Sequence, residues 1–197
     1  MGDLTTFRET VFWCIGALWM AFGALYLLRK KPPHATVIKR KPGLTSGLAL
    51  QGAGYALEWF FGRRPWTPLA KMPAALEAAV NLAALALMAA SVALAIWAIH
   101  ALGKEWSFRP QLVEGHELKT EGPYAIVRNP IYGGMLGMLV ATGIAWSRWE
   151  ALVGAAALFL VGTAIRVRSE EALLRGSFGA AFEDYARRVP AVIPWLW

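Results

Sequence analysis

The stretch GPYAIVRNPIYGG occupies residues 122–134 and lies directly before a strongly apolar segment. It places two prolines, an Arg, an Asn and two Tyr at the entrance to a hydrophobic helix. Pro130 suits the first position of a helix, because the N–H that proline lacks has no intrahelical partner there. Asn129 is biased toward extended backbone by the proline after it, and Asn is among the best N-capping residues. The stretch therefore predicts a helix that begins at Pro130 and is capped by the Asn129 side chain.

The composition around this stretch indicates a membrane protein. Of the 197 residues, 57% are hydrophobic and 17% are charged, whereas an average soluble domain is about 45–50% apolar and about 25% charged. The ten Trp and five Tyr suit the two membrane interfaces. The net charge of +7 comes from basic residues that flank apolar segments, so it indicates membrane topology rather than a nucleic-acid partner. The single cysteine and three scattered histidines predict no metal site.

Five apolar segments can be drawn along the chain, and they predict an all-α integral membrane protein with about five transmembrane helices. Only Arg148 separates the last two segments, which predicts a tight helical hairpin. We expect one membrane domain over residues 1–197, with a three-helix part at 1–102 and a second part at 103–197. The segments are 11–28, 44–61, 74–100, 131–147 and 149–165.

The distribution of lysine and arginine predicts the orientation. Fifteen of these residues fall in the loops on one side of the five segments and five on the other. The positive-inside rule then places the N-terminus outside and the C-terminus in the cytoplasm. Residues 122–134 and the tail after residue 165 share the cytoplasmic face. Apolar residues in that tail recur at helical spacing, with Gly176 and Gly179 as expected breaks or bends. This pattern predicts a cytoplasmic extension of the fifth helix, followed by an interfacial helix.

The start of the fourth helix is a candidate anion site. Gly133 and Gly134 leave its first turn nearly bare of side chains, and free N–H groups at a helix N-terminus attract carboxylates and phosphates. Arg128 stands beside it. The alternative is a well-capped helix entry in which Arg128 merely extends toward the membrane surface.

A second candidate site lies in RVRSEE, residues 166–171. Arg166 and Glu170 are four residues apart and therefore share one helix face. They could form an ordinary ion pair. Ionisable groups at the inner end of an apolar helix are also costly and often functional, so they could instead contact a substrate anion and a ligand ammonium. The residues alone leave both alternatives open.

HELKTEGPYAIVRNPIYGG, followed by the hairpin and by RVRSEEALLRGSFGAAFEDYARRVP, resembles the isoprenylcysteine carboxyl methyltransferase family and the related bacterial phospholipid methyltransferases. The resemblance covers residues 109–194. It implies a multi-pass enzyme of the bacterial inner membrane that encloses S-adenosylmethionine at the cytoplasmic face. It also implies that residues 103–197 form the methyltransferase core, with a lipophilic acceptor, an isoprenylcysteine-type carboxylate above all.

The resemblance also implies roles for individual residues. Arg166 matches the substrate-binding arginine of the family, and Arg166 and Glu170 are the expected catalytic pair. The expected cofactor contacts are His116, Glu117, Leu118, Lys119, Tyr124, Arg128, Asn129, Pro130, Tyr132 and Glu170.

One position departs from the prenylcysteine enzymes, which usually read Arg-His-Pro where this chain has Asn129. Asparagine can donate a hydrogen bond but does not titrate near neutral pH. A carboxylate acceptor needs no base, whereas an amine or thiol would need one, with Glu170 or Glu171 nearest. The alternatives are therefore a phospholipid amine or small thiol as acceptor, a nicotinamide-dependent sterol reductase, and a non-enzymatic membrane protein such as a small carrier.

Overall fold

The computed structural model of the chain is a bundle of α-helices. The structure describes residues 2–28, 37–39, 44–63, 67–103, 112–113 and 117–193. Two short strands in those residues, β1 (Val37–Lys39) and β2 (Leu112–Val113), pair antiparallel, and the rest of the regular structure is helical, as predicted. A 3-10 turn spans Gly122–Ala125. The helices are α1 (Gly2–Leu28), α2 (Leu44–Phe60), α3 (Ala74–Leu102), α4 (Pro130–Ala145), α5 (Trp149–Phe178) and α6 (Ala180–Arg188).

Two closely packed antiparallel helix pairs form the bundle: α2 lies along α5, and α3 lies along α4. Small residues allow the backbones to approach within each pair. A Cβ at Gly54 of α2 would lie 2.8 Å from the carbonyl oxygen of Ala155 on α5, and a Cβ at Gly134 of α4 would lie 2.8 Å from the carbonyl oxygen of Ser91 on α3. The hairpin between α4 and α5 joins the two pairs.

Helix α4 is held by apolar side chains on two sides. One cluster lies among α1, α3 and α4 and includes Val11, Met88 and Met138. A second cluster lies between α4 and α5 around Leu139 and Phe159. Because buried apolar contacts are lost when either neighbour moves, the position of the α4 N-terminus is set by both helix pairs.

The helix boundaries confirm some predictions and correct others. Helices α3 and α4 begin at Ala74 and Pro130, as predicted. Helix α5 continues past residue 165, as predicted. It also runs through Gly176, where the expected break is absent because glycine costs only about 1 kcal/mol inside a helix. The break falls at Gly179, where φ is 51°. The predicted short helix follows as α6.

The loops that carry few basic residues lie together at one end of the bundle, as far as the structure describes them. There Arg8 of α1 forms an ion pair with Glu77 at the start of α3, with 2.8 Å between Nη2 and Oε2. Arg63 donates to the carbonyls of Ile144 and Ala145 at 3.0 Å and so satisfies the last turn of α4. Burial lowers the pKa of the Arg63 guanidinium to about 10. Residues 122–134 and α6 lie at the opposite end.

Several features of the described residues support a membrane protein. Helices α3 and α5 are long and apolar enough to cross a bilayer, by length and composition, and α4 is a shorter apolar helix. Helix α1 contains the uncharged run 11–28. Large apolar side chains such as Trp13, Met20 and Val153 are exposed on the outside of the bundle, where lipid would cover them. Five crossings remain a prediction.

Candidate functional site

The loop of residues 117–129 leads into α4 and is held by two tyrosines. Gly122 begins the 3-10 turn with φ 60°, a left-handed conformation that favours glycine. The buried Tyr124 donates its hydroxyl to the Ala98 carbonyl of α3 at 3.4 Å. Tyr185 of α6 donates its hydroxyl to the Tyr124 carbonyl at 2.6 Å. The loop is thus fixed between α3 and α6.

The C-terminal segment, residues 189–193, pairs with the end of this loop. The backbone N–H of Arg128 donates to the Pro190 carbonyl at 2.8 Å, and that of Asn129 donates to the Ala191 carbonyl at 2.9 Å. Ala191 and Val192 are buried against Tyr132 in the first turn of α4. The entrance to α4 is therefore built from two parts of the chain that are far apart in sequence.

The predicted role of Asn129 as a side-chain cap is wrong. Asn129 does occupy the N-cap position and Pro130 the first helical position, but the Asn129 side chain makes no capping hydrogen bond. Its amide Nδ2 donates to the Ala191 carbonyl at 3.0 Å. The C-terminal segment offers a nearby acceptor, and the backbone at φ −130° and ψ 61° turns the amide toward it. Asn129 joins two segments instead of capping a helix.

Arg128 does not act as the free cation that the sequence suggested. Its guanidinium Nε donates to the Glu171 carboxylate at 2.8 Å, and Nη2 lies 2.7 Å from the same oxygen. Nη1 donates to the Ala186 carbonyl at 3.0 Å and to the Val189 carbonyl. Both charged side chains are largely buried. Arg128 ties the loop to α5 and to the end of α6, which makes it a positioning residue for the entrance to α4.

A buried polar network lies next to the first turn of α4. Nε of Arg166 lies 3.6 Å from Oε1 of Glu170, and Tyr132 donates its hydroxyl to that oxygen. The Arg166 guanidinium carbon lies 5.2 Å from the centre of the Tyr132 ring, a distance typical of a cation–π contact. Gln51 of α2 accepts from Nη1 of Arg166 at 3.4 Å and donates to the Thr163 hydroxyl at 2.8 Å. We call these five residues the polar network.

The structure brings the tail pair and part of the loop together, and it pairs two other predicted contacts with each other. Tyr132, Arg166 and Glu170 meet in the polar network, and Asn129 and Pro130 lie at the start of the same helix. Glu117 and Lys119 form an ion pair with each other at 2.6 Å and are accessible to solvent, and Leu118 between them is half-buried. His116 lies outside the described residues.

Sequence reasoning gave no role in the site to Gln51 and Thr163 and did not foresee the ion pair of Glu171. An amide inside the apolar run of α2 was the available signal for Gln51, since a buried polar group needs a hydrogen-bond partner. The partner itself depends on how α2 packs on α5, which local sequence does not reveal.

The polar network can bind charged and hydroxyl-bearing groups without a metal. Arg166 is a buried cation whose Nε has no hydrogen-bond partner among the described residues and lies 3.6 Å from Glu170, so it has a donor with which to bind an anion. Glu170 is a carboxylate that can accept from an ammonium or a hydroxyl. In the part of the chain that the structure describes, no group of three His, Cys, Asp or Glu side chains could hold a metal ion.

Comparison with known proteins finds relatives for the part of the chain that carries much of this site. Residues 80–181 match the phospholipid methyltransferase family. Protein-S-isoprenylcysteine O-methyltransferase B of Arabidopsis thaliana is 35% identical over 83 residues, which are 42% of this chain and 42% of that protein. Methanethiol S-methyltransferase 2 of Bradyrhizobium diazoefficiens is 36% identical over 93 residues, 46% of this chain and 34% of that protein. The nickel-cobalt-cadmium resistance protein NccN of Alcaligenes xylosoxydans xylosoxydans is 40% identical over 81 residues, 41% of this chain and 37% of that protein.

The matched segments therefore span less than half of each of these relatives. The family match covers just over half of this chain. It contains the loop, the α4–α5 hairpin and the Arg166–Glu170 pair, and it confirms the resemblance found in the sequence. The homologues support a membrane methyltransferase. The chain belongs to the phospholipid methyltransferase family.

Proposed function

We propose that this chain is an integral membrane methyltransferase that uses S-adenosylmethionine and methylates a lipophilic acceptor, with an isoprenylcysteine-type carboxylate as the favoured one. The observation that carries the proposal is the pairing of Arg166 with Glu170 and Tyr132 beside the first turn of α4. This pairing provides a cation that can bind an anionic acceptor and a carboxylate that can bind the cofactor. The residues lie in the chain half that matches the family.

The residues present fit the polar groups of S-adenosylmethionine. Glu170 and the Tyr132 hydroxyl would hold its ammonium or a ribose hydroxyl, since carboxylates and phenols pair with both. Residues 116–119 with Tyr124, Asn129 and Pro130 would enclose the remainder, as the family implies. The unbonded Nε of buried Arg166 is expected to face a polar ligand atom, because buried polar groups are normally hydrogen-bonded.

The protein's part in the reaction is to bind, align and exclude water. When bound, S-adenosylmethionine supplies a methyl group already activated by its sulfonium. Arg166 would hold the acceptor carboxylate in line with that methyl group, and the apolar bundle would keep water away. A carboxylate needs no base. For an amine or thiol acceptor Glu170 is the candidate base, because Glu171 is committed to Arg128.

Cofactor binding and acceptor chemistry test this proposal separately. Glu170→Gln should weaken the affinity for S-adenosylhomocysteine about tenfold, since a hydrogen bond to a charged group is lost, while the protein stays folded. Arg166→Ala should keep the affinity for S-adenosylhomocysteine and lower turnover of an anionic acceptor. Calorimetry in detergent and transfer of a radiolabelled methyl group measure the two effects.

A charge swap, Arg166→Glu with Glu170→Arg, is the control for a purely structural ion pair. We expect it to restore neither binding nor turnover, and restored activity would show that the pair is structural. A parent protein that does not bind S-adenosylhomocysteine would refute the cofactor assignment and favour a non-enzymatic role. Screening an isoprenylcysteine, a phospholipid amine and a small thiol with the parent protein distinguishes the acceptors.

The proposed orientation has five crossings, with the polar network on the cytoplasmic side of the bacterial inner membrane. It is supported by the fifteen-to-five division of Lys and Arg and by the meeting of loop and tail at one end of the bundle. A reporter fused after Trp197 should show that this end lies in the cytoplasm. A reporter fused before residue 2 should show that this end lies on the opposite side of the membrane. A periplasmic signal from the C-terminal fusion would refute the orientation.

A further inference from the structure

Gln51 is a buried amide on α2 that touches the polar network from outside the region matched by the family. Its side chain is 1% exposed, and the family match begins only at residue 80. We infer that Gln51 is a positioning residue that orients the Arg166 guanidinium toward the acceptor and so sets the preference of the site for an anionic acceptor. This inference rests on the proposed function, in which Arg166 binds the acceptor.

The packing of α2 on α5 leaves Gln51 little freedom. A Cβ at Gly162 would lie 2.6 Å from the Gly47 carbonyl oxygen and 3.0 Å from the Gln51 backbone nitrogen, so the two backbones are nearly in contact. A Cβ at Gly47 would lie 2.6 Å from Cγ of Arg166, which shows that the stem of Arg166 runs directly across Gly47. Gln51 follows Gly47 by one helical turn and therefore faces the same side.

The orientation of the Gln51 amide follows from its partners. A guanidinium can only donate hydrogen bonds, so the amide oxygen must face Arg166. The amide nitrogen then faces Thr163, whose hydroxyl accepts its hydrogen bond at 2.8 Å. Thr163 is fully buried and lies one turn before Arg166 on α5. Because a hydroxyl can donate or accept, Arg166 sets the orientation of the amide and the Thr163 contact holds the amide in place.

The contacts of Arg166 leave one hydrogen-bond donor of the guanidinium for a ligand. Gln51 accepts from Nη1, and the Tyr132 ring lies against the guanidinium. Nε has no hydrogen-bond partner among the described residues, although Oε1 of Glu170 lies 3.6 Å from it. The 3.4 Å distance from Nη1 to Gln51 is long for a hydrogen bond. This contact therefore affects the direction of the guanidinium more than it stabilises the guanidinium. A neutral amide also adds no negative charge beside Arg166, whose ion-pair partner is Glu170. A carboxylate at residue 51 would add such a charge and compete with an anionic acceptor.

Three variants and one matched control test the inference by direct binding. The probe is an S-farnesylcysteine with a free carboxylate, compared with its carboxamide, titrated into protein saturated with S-adenosylhomocysteine. Gln51→Met keeps the side-chain volume and removes the hydrogen-bond acceptor of Arg166. It should lower the ratio of carboxylate affinity to carboxamide affinity about fivefold. Gln51→Glu should lower this ratio further, and Thr163→Val should lower it less. Asn81→Leu, which replaces another buried amide on α3, should leave the ratio unchanged.

The ratio separates positioning from general stability. If Gln51 were merely structural, its replacement would weaken the binding of both probes equally. An unchanged affinity ratio in Gln51→Met and Gln51→Glu would overturn the inference. Cofactor affinity should change little in all four variants, because Glu170 pairs with Tyr132 and Arg166 in the described residues and no variant replaces either of them. A parent that prefers the carboxylate but transfers no methyl group to it would refute the proposed function while Gln51 keeps its assigned role. A parent with no preference for the carboxylate would overturn the role of Gln51.

Discussion

Replacing Arg128 with Met should lower the free energy of unfolding by about 3 kcal/mol, because it leaves a buried carboxylate without its main partner. The Glu171 side chain is only 11% exposed, and the remaining Arg175 is 3.6 Å away and half exposed. The carbonyls of Ala186 and Val189 would lose a charged donor as well. In a chain of this length the melting temperature should fall by about 10 °C. Thermal unfolding in detergent measures it.

Arg187→Met is the matched control for this prediction. Arg187 pairs with Asp184 on α6, but its side chain is 72% exposed, and surface pairs contribute little. We expect its melting temperature to stay close to that of the parent. Affinity for S-adenosylhomocysteine should fall in Arg128→Met and persist in Arg187→Met, because only Arg128 ties down the loop before α4. Equal melting temperatures for the two variants would show that the Arg128–Glu171 pair is not structural.

Gly162→Ala should destabilise the bundle by about 3 kcal/mol, at the upper end of the usual cost of overpacking. The new methyl group would lie 2.6 Å from the Gly47 carbonyl oxygen, and a backbone atom within a helix has no rotamer through which to withdraw. Helix α2 must therefore move away from α5. Since Gln51 moves with α2, the variant should also lose the preference for a carboxylate acceptor.

Gly176→Ala is the control with the opposite expected sign. It makes the same substitution in the same helix, but a Cβ at Gly176 would meet nothing within 4 Å. Alanine has the better helix propensity, so we expect a gain of about 0.5 kcal/mol. Melting curves of both variants in one detergent test the pair. A stable Gly162→Ala protein would show that α2 and α5 are farther apart than the structure has them.

Local chemistry made part of this structure predictable. The preference of proline for the first helical turn comes from its own ring and its missing N–H. The start of α4 at Pro130 could therefore be predicted from a few residues. The i,i+4 spacing similarly predicted that Arg166 and Glu170 meet. The long apolar runs predicted the helices, because an apolar run of that length has few other folds open to it.

The partners of the polar side chains could not be predicted in the same way. Asn129 has two acceptable uses, as a cap and as a donor, and the choice depends on Ala191, which local sequence does not place nearby. Arg128 was equally ambiguous until α5 supplied Glu171. Gln51 contacts Arg166 only because glycines let α2 and α5 touch. In each case a distant segment decides between local options of similar free energy.

The hydrogen bonds between the loop and residues 190 and 191 have a consequence for synthesis of the chain. Asn129 and its acceptor Ala191 are 62 residues apart, and translation adds about 5–20 residues per second. The nascent loop therefore waits about 3–12 s for this partner, while the α4–α5 hairpin between them is being made. During that interval the backbone donors of Arg128 and Asn129 depend on water at the membrane surface. Assembly of the entrance to α4 is thus a late event in biogenesis, after the segments that form the hairpin have left the ribosome.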